Sequence, residues 1–92
     1  MNIILRTAQF AEWLQHLADM KGKARILARI TAAEYGNFGD VKLIAGGLWE
    51  MRVNAGPGYR IYYVRSGKTV YVLLAGGDKG SQRRDIAKAL KL

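Results

Sequence analysis

The sequence predicts an α+β domain of order β-α-α-β-β-β-β-α, with a helical hairpin and a C-terminal helix packed on a twisted, mostly antiparallel sheet. Three observations predict it. Apolar residues recur at helical spacing from Phe10 to Ala33, and alternate with period two from Val41 to Ala75. Ten of the eleven glycines lie from Gly36 onward, between those alternating runs, where they supply turns.

Asn2 to Arg6 form a short strand. Thr7 is the N-cap of a first helix expected to run to about Met20, since its hydroxyl accepts a free backbone N–H. Phe10, Trp13, Leu14 and Leu17 fall at i, i+3, i+4 and i+7 and make one apolar stripe. Lys21-Gly22 is the expected break. A second helix follows from about Lys23 to Tyr35, with Ile26, Ile30 and Ala33 inward, and the short link makes the pair antiparallel. Gly36-Asn37 stops it, because both residues tolerate left-handed backbone.

Four strands are expected at Val41–Ala45, Leu48–Val53, Tyr59–Arg65 and Val70–Ala75. Gly46-Gly47, Gly56-Pro57-Gly58 and Ser66-Gly67 turn them into hairpins. Gly76-Gly77-Asp78-Lys79-Gly80 is expected to end the sheet, and Ser81 to cap a last helix reaching Leu92 with Ile86, Ala89 and Leu90 inward. All helices are placed in one layer, over one core of Trp49, Met51, Val53, Ile61, Tyr63, Leu73, Ile30, Ile86 and Leu90. Residues 1–92 contain no linker, repeat or low-complexity segment, and are expected to form a single domain.

Composition excludes several classes. The 92 residues are 50% apolar and contain no cysteine, so there are no disulfides, thiolate metal sites or cysteine nucleophiles. One histidine and seven scattered acids make a metal site unexpected, and no cofactor motif is present. No apolar run approaches the ~20 residues of a membrane span. Met1 to Arg6 is too short and wrongly ordered for a signal peptide; the expected location is cytoplasmic. Fifteen Lys and Arg against seven Asp and Glu give a net charge of +8 and a pI of about 10.1. Such a domain is drawn to polyanions; an acidic protein partner would explain the same charge.

Strand alternation puts Arg60 and Tyr62 on one sheet face, with Arg52 and Glu50 on the neighbouring strand. Tyr59, Ile61 and Tyr63 share the other face with Trp49, Met51 and Val53. Arg60 and Arg52 suit a phosphate and Tyr62 suits a stacked base; cross-strand salt bridging on a wet face is the competing reading. Lys79 and free N–H groups after Gly76-Gly77-Asp78 can hold an anion, although the spacing is not that of a Walker loop. Gln82, Arg83, Arg84, Lys88 and Lys91 give the last helix a basic side, either solvated or on RNA. His16 lies outside the apolar stripe and is read as a surface histidine. Ser81 and Ser66 are read as cap and turn residues, Trp13 and Trp49 as core anchors.

Several ordered blocks carry a resemblance to a known family. They are Gly36-Asn37-Phe38-Gly39-Asp40, Trp49-Glu50-Met51-Arg52, Gly56-Pro57-Gly58-Tyr59-Arg60-Ile61-Tyr62-Tyr63 and Leu73-Leu74-Ala75-Gly76-Gly77-Asp78-Lys79, followed by Gln82 and Asp85-Ile86. Together with Phe10-Ala11-Glu12-Trp13-Leu14, they resemble the addiction-module killer proteins, the HigB-like branch of the RelE/ParE toxin superfamily. The resemblance spans nearly the whole chain.

It implies a toxin of a type II toxin–antitoxin pair. RelE- and HigB-type relatives are ribosome-dependent mRNA endonucleases needing no metal, whereas ParE-type relatives inhibit DNA gyrase, so fold alone does not choose between them. Arg60 matches the arginine that RelE-type toxins place at the scissile phosphate. Arg52 matches a basic residue on the preceding strand, and Lys79 falls near another at the end of the last. Asp85, with Lys79, is the candidate for proton transfer; Tyr62, Gln82, Arg83, Arg84 and Lys88 are the candidate RNA contacts. Glu50 stands where RelE is basic, Asp85 near where RelE has a tyrosine, and the histidines of HigB relatives have no counterpart. The implied partners are a cognate helix-turn-helix antitoxin, mRNA on the ribosome, and operator DNA through the antitoxin only.

Overall fold

In the computed structural model, which describes Met1–Leu92, five strands form one sheet. They are β1 (Ile3–Arg6), β2 (Val41–Ala45), β3 (Leu48–Val53), β4 (Tyr59–Arg65) and β5 (Val70–Asp78), in spatial order β1-β5-β4-β3-β2. β2 to β5 are an antiparallel meander, and β1 adds in parallel to β5. Helices α1 (Ala8–Gln15) and α2 (Met20–Glu34) form the hairpin. A 3-10 turn, Lys79–Ser81, leads into α3 (Gln82–Leu90). The α+β order is the expected one, and the architecture is compatible with the RelE/ParE-like fold.

The helices occupy both faces of the sheet, not the single layer expected. α1 and α2 cover a core of Phe10, Leu14, Ile26, Ile30, Met51, Val53, Ile61, Tyr63 and Leu73, with Trp49 half-buried at its margin. α3 covers a second, smaller core on the opposite face: Leu48, Tyr62, Leu74, Ala75 and Ala89, with Ile86 beside it. Ile86 therefore belongs to a different core from the one expected. Leu90 belongs to neither, being 56% exposed past the last turn that packs.

The cause lies in β5, which runs three residues further than expected. Gly76 and Gly77 are strand residues, on opposite faces because strand side chains alternate. A Cβ at Gly76 would overlap the indole of Trp13 from α1. A Cβ at Gly77 would overlap Asp85 and Ser81 from α3. The two glycines thus admit one helix from each side, and the pair is a packing device instead of a turn. One further irregularity divides the cores. Tyr62 pairs with Ala75 and Tyr63 with Leu73, so Leu74 is a bulged extra residue. It lets Leu74 and Ala75 both face α3 while Leu73 faces α2.

Helix boundaries follow caps. Thr7 accepts from the Phe10 N–H at 3.1 Å, as expected, and donates to the Leu74 carbonyl at 2.7 Å, fixing α1 to β5. α1 stops at Gln15, earlier than expected, because Asp19 begins a new helix by accepting from the Gly22 N–H at 3.0 Å. Gly22 therefore lies inside the first turn of α2, where the Tyr59 ring leaves no room for a side chain. Asp78 supplies the capping box of the final turn. Ser81, the residue before α3, makes no side-chain cap to that helix.

Two outcomes are expected. Gly77→Ala inserts a Cβ against Asp85 and should cost about 1–3 kcal/mol, seen as a lower urea midpoint at unchanged slope. The second concerns Tyr59, whose hydroxyl donates to Asp19 at 2.7 Å. Burial, then the Asp19 hydrogen bond and charge, push its phenol up to about 12. An unfolded tyrosine ionises near pH ~10, so this contribution to stability is fully present below that value and is lost as pH rises towards 12. Tyrosinate absorbance, followed with denaturant midpoints, should show the loss in wild type and a smaller one in Tyr59→Phe.

Candidate functional site

β3 and β4 bring Arg52 directly opposite Arg60, and Glu50 opposite Tyr62, on the α3 face. Two like charges across a ladder repel. Glu50 answers that repulsion: its Oε1 accepts from Arg52 Nε at 3.0 Å and lies 3.8 Å from Arg60 Nε. Its Oε2 accepts from Gln82 Nε2 at 2.6 Å, which ties the start of α3 to the same carboxylate. Glu50 is fully buried. Burial alone would raise its pKa, but hydrogen bonds from Gln82 and Arg52 and the nearby Arg60 charge outweigh it and hold the carboxyl below its ordinary value.

The ionised carboxylate leaves one cationic charge in excess among the three groups. Arg60 has a side chain only 14% exposed. Its Nη1 donates to the Tyr59 carbonyl at 3.3 Å, while its Nε is buried with no hydrogen-bond partner. Arg52 is more open, at 34%. Lys79 joins them through the turn: its N–H donates to the Gly58 carbonyl at 2.8 Å. Gly58, at φ +84, has both Arg60 Nη1 and the Lys79 Cβ as its closest neighbours. Lys79 itself is exposed.

The remaining candidates divide. Tyr62 is a correction: α3 covers it completely, so it presents no ring face on which a base can stack. Burial first, then the Glu50 and Asp85 charges, push its phenol far up. Asp85 is also buried, with its Oδ2 taken by the Ser81 hydroxyl, over Gly77 and hence beside the Arg60 rung. Gln82 spends its amide on Glu50, while Arg83, Arg84 and Lys88 line the exposed side of α3. His16 is exposed, its Nδ1 2.8 Å from the Glu12 carbonyl, and lies outside the arginine group.

A cleft of about 870 Å³ opens between α1 and α3, lined by Glu12, Trp13, His16, Arg84, Asp85 and Lys88 among others. It exists because β1 pairs with β5 only as far as Leu73, which leaves Gly76–Asp78 at an open sheet edge. Sequence reasoning missed it, since it needs α1 and α3 on opposite faces. The available signal was the adjacent Gly76-Gly77 pair inside an apolar strand.

Two comparisons bear on this arrangement. A family model described as phage derived protein Gp49-like (DUF891) matches residues 12–92. A protein of Haemophilus influenzae, described as an uncharacterized protein, is 42% identical over 86 residues, which is 94% of this chain and 87% of that relative.

The buried carboxylate sets an acid limit. Glu50 has a lowered folded value, so its contribution is present above the ordinary 4.5 and is lost as pH falls through the lowered one. Glu50→Gln should be less stable at neutral pH, because Arg52 and Arg60 then face each other uncompensated. Its unfolding midpoint should also fall less steeply below pH ~4.5 than that of wild type.

Proposed function

We propose a function from one premise: the chain belongs to the Gp49-like family of phage-derived proteins, a family of the toxin–antitoxin type. Within it, the reading the site supports best is a HigB-like, metal-independent endoribonuclease that cuts translated mRNA on the ribosome and blocks translation. The observation that carries this reading is the Arg52–Glu50–Arg60 group, two guanidiniums on one buried carboxylate with Lys79 adjoining.

In the proposed reaction the 2′-hydroxyl attacks the adjacent phosphorus and the bond to the 5′-oxygen breaks. The 2′-proton leaves to solvent. Arg60 and Arg52 neutralise the phosphorane as its charge develops, and fixed cations of this kind act without reorganising. Exposed Lys79 protonates the leaving 5′-oxygen, a task that histidine performs elsewhere. Buried Asp85 holds Ser81 and the start of α3 against Gly77. Arg83, Arg84 and Lys88 take flanking phosphates as point contacts. The partner is a cognate antitoxin, by resemblance a helix-turn-helix protein, through which the toxin reaches operator DNA.

One observation favours the second reading, a ParE-type toxin that inhibits DNA gyrase. Arg60 is mostly covered and Tyr62 wholly so, which leaves fewer groups for substrate than a nuclease site ordinarily presents.

Induced expression with primer extension across reporter messages decides between them. In-frame cuts on translated mRNA are expected. Arg60→Ala should lower cleavage about 10²–10³-fold and abolish growth arrest, and a urea titration checks that the variant folds. His16→Ala should retain full toxicity. Growth arrest with intact mRNA and altered DNA supercoiling would overturn the nuclease reading in favour of gyrase.

A further inference from the structure

The hairpin face ends in an open pocket. Past α2, the loop carries Phe38 onto Tyr63 and Tyr71, and a cavity of about 260 Å³ remains between Phe38, Val41, Trp49, Tyr63, Arg65 and Tyr71. Trp49 stands opposite Tyr63 in the β3–β4 ladder, and Arg65 opposite Tyr71 in the β4–β5 ladder. Two successive rungs of one sheet face thus supply most of the walls. Tyr63 is buried, while Phe38, Trp49 and Tyr71 stay half-buried. The core leaves part of each of these three rings uncovered. The Arg52–Glu50–Arg60 group lies on the opposite face, and the proposed reaction uses none of the pocket's residues.

Chemistry selects the ligand. A volume of about 260 Å³ falls below the ~300–1,000 Å³ of pockets that enclose drug-sized molecules, so it takes one ring system and not a helix or a strand. Aromatic walls suit a flat π-system, and every nucleobase has a π-face. Aromatic cages also hold alkylated ammonium groups. Here Arg65 puts a guanidinium in the wall and no carboxylate lines the pocket, so a cation is repelled. Arg65 is held in place by the β4–β5 turn. Its Nε donates to the Gly67 carbonyl at 2.9 Å and its Nη2 to the Lys68 carbonyl at 2.7 Å, which leaves Nη1 unengaged. Lys68, exposed, sits in the same turn. Rings beside a fixed cation, on a chain of net charge +8, match a base whose backbone phosphate stays outside.

We propose that this pocket takes one unpaired base of single-stranded RNA, stacked against Trp49 and Tyr71, with its phosphate on Arg65 and Lys68. It is a second RNA contact, on the sheet face away from Arg60. The inference rests on the nuclease reading only for the choice of RNA over DNA.

A hexamer of oligoadenylate is the probe, and an abasic hexamer with the same phosphates is its control. NMR of the full chain should show the Trp49 indole N–H and the Val41 methyls shifting with the adenylate, and the Trp13 indole unmoved. The abasic hexamer should leave Trp49 in place. Tyr71→Leu, which keeps apolar bulk at a half-buried position, should weaken binding about tenfold. Arg65→Gln should lower the slope of log affinity on log salt by about 0.7, the loss of one phosphate contact. The Trp49 shift should persist in Arg60→Ala, whose lost cation lies on the other face. Equal binding by the abasic hexamer, shifts at Trp13 and not at Trp49, or a pocket filled only by an uncharged leucine-rich peptide would each overturn the proposal. Equal affinity for oligodeoxyadenylate would overturn the choice of RNA. Cleavage of reporter messages is scored separately in wild type. Cleavage without a Trp49 shift sinks the pocket alone, whereas a Trp49 shift without cleavage sinks the nuclease reading and leaves the base site standing.

Discussion

The Glu50 carboxylate is the constraint on which the α3 face depends. It lies out of water between two arginines that the β3–β4 register forces opposite each other, and its other oxygen holds Gln82. A buried carboxylate is tolerable only when paired and fully hydrogen-bonded. Glu50 meets that condition with hydrogen bonds from Arg52 of β3 and Gln82 of α3 and with the charge of Arg60 on β4. The register, the seating of α3 and the arginine geometry are therefore parts of one electrostatic arrangement. Removing the carboxylate leaves two cations facing each other, and removing Arg52 takes one of the carboxylate's two side-chain donors.

The hairpin face is organised by apolar and aromatic packing instead. Phe38 stacks on Tyr63 with ring centres 5.5 Å apart and meets Tyr71 at 4.7 Å, which pins the loop after α2 to the sheet. Arg29 strengthens the pin by donating to the Phe38 carbonyl at 2.8 Å. The Gly36–Asp40 block is thus a structural corner. Trp13 closes the other end of this face, over Gly76.

Much of the fold was legible because its signals are local. Periodicity placed β2, β3 and β4 at their observed limits, and Thr7 was recognisable as a cap from its residue type and position. The registers of β3 and β4 followed from which residues alternate, and Arg60, Arg52 and Glu50 do share a face. What escaped was whatever depends on the second face. Gly76-Gly77 has the composition of a turn, and only the arrival of Trp13 and Asp85 from opposite sides reveals it as strand. Tyr62 alternates with buried neighbours, so its pattern matches that of a solvent-facing residue until α3 is laid over it. Asp19, too, is a cap that competes with an apolar stripe running past it to Met20, and the local hydrogen bond to Gly22 prevails.

These two faces give the site its character. Under the proposed nuclease reading, a phosphate approaching Arg60 and Arg52 finds cations whose positions are already fixed by a buried counter-charge, so little side-chain entropy remains to be lost on binding. The same counter-charge reduces the net positive charge available to that phosphate. Lys79 offsets this reduction: it is the exposed cation of the group, and the Gly58 carbonyl positions its backbone beside Arg60. The division of labour follows from burial. In the proposed reaction the covered arginines set the geometry, while the open lysine supplies mobile charge and a transferable proton.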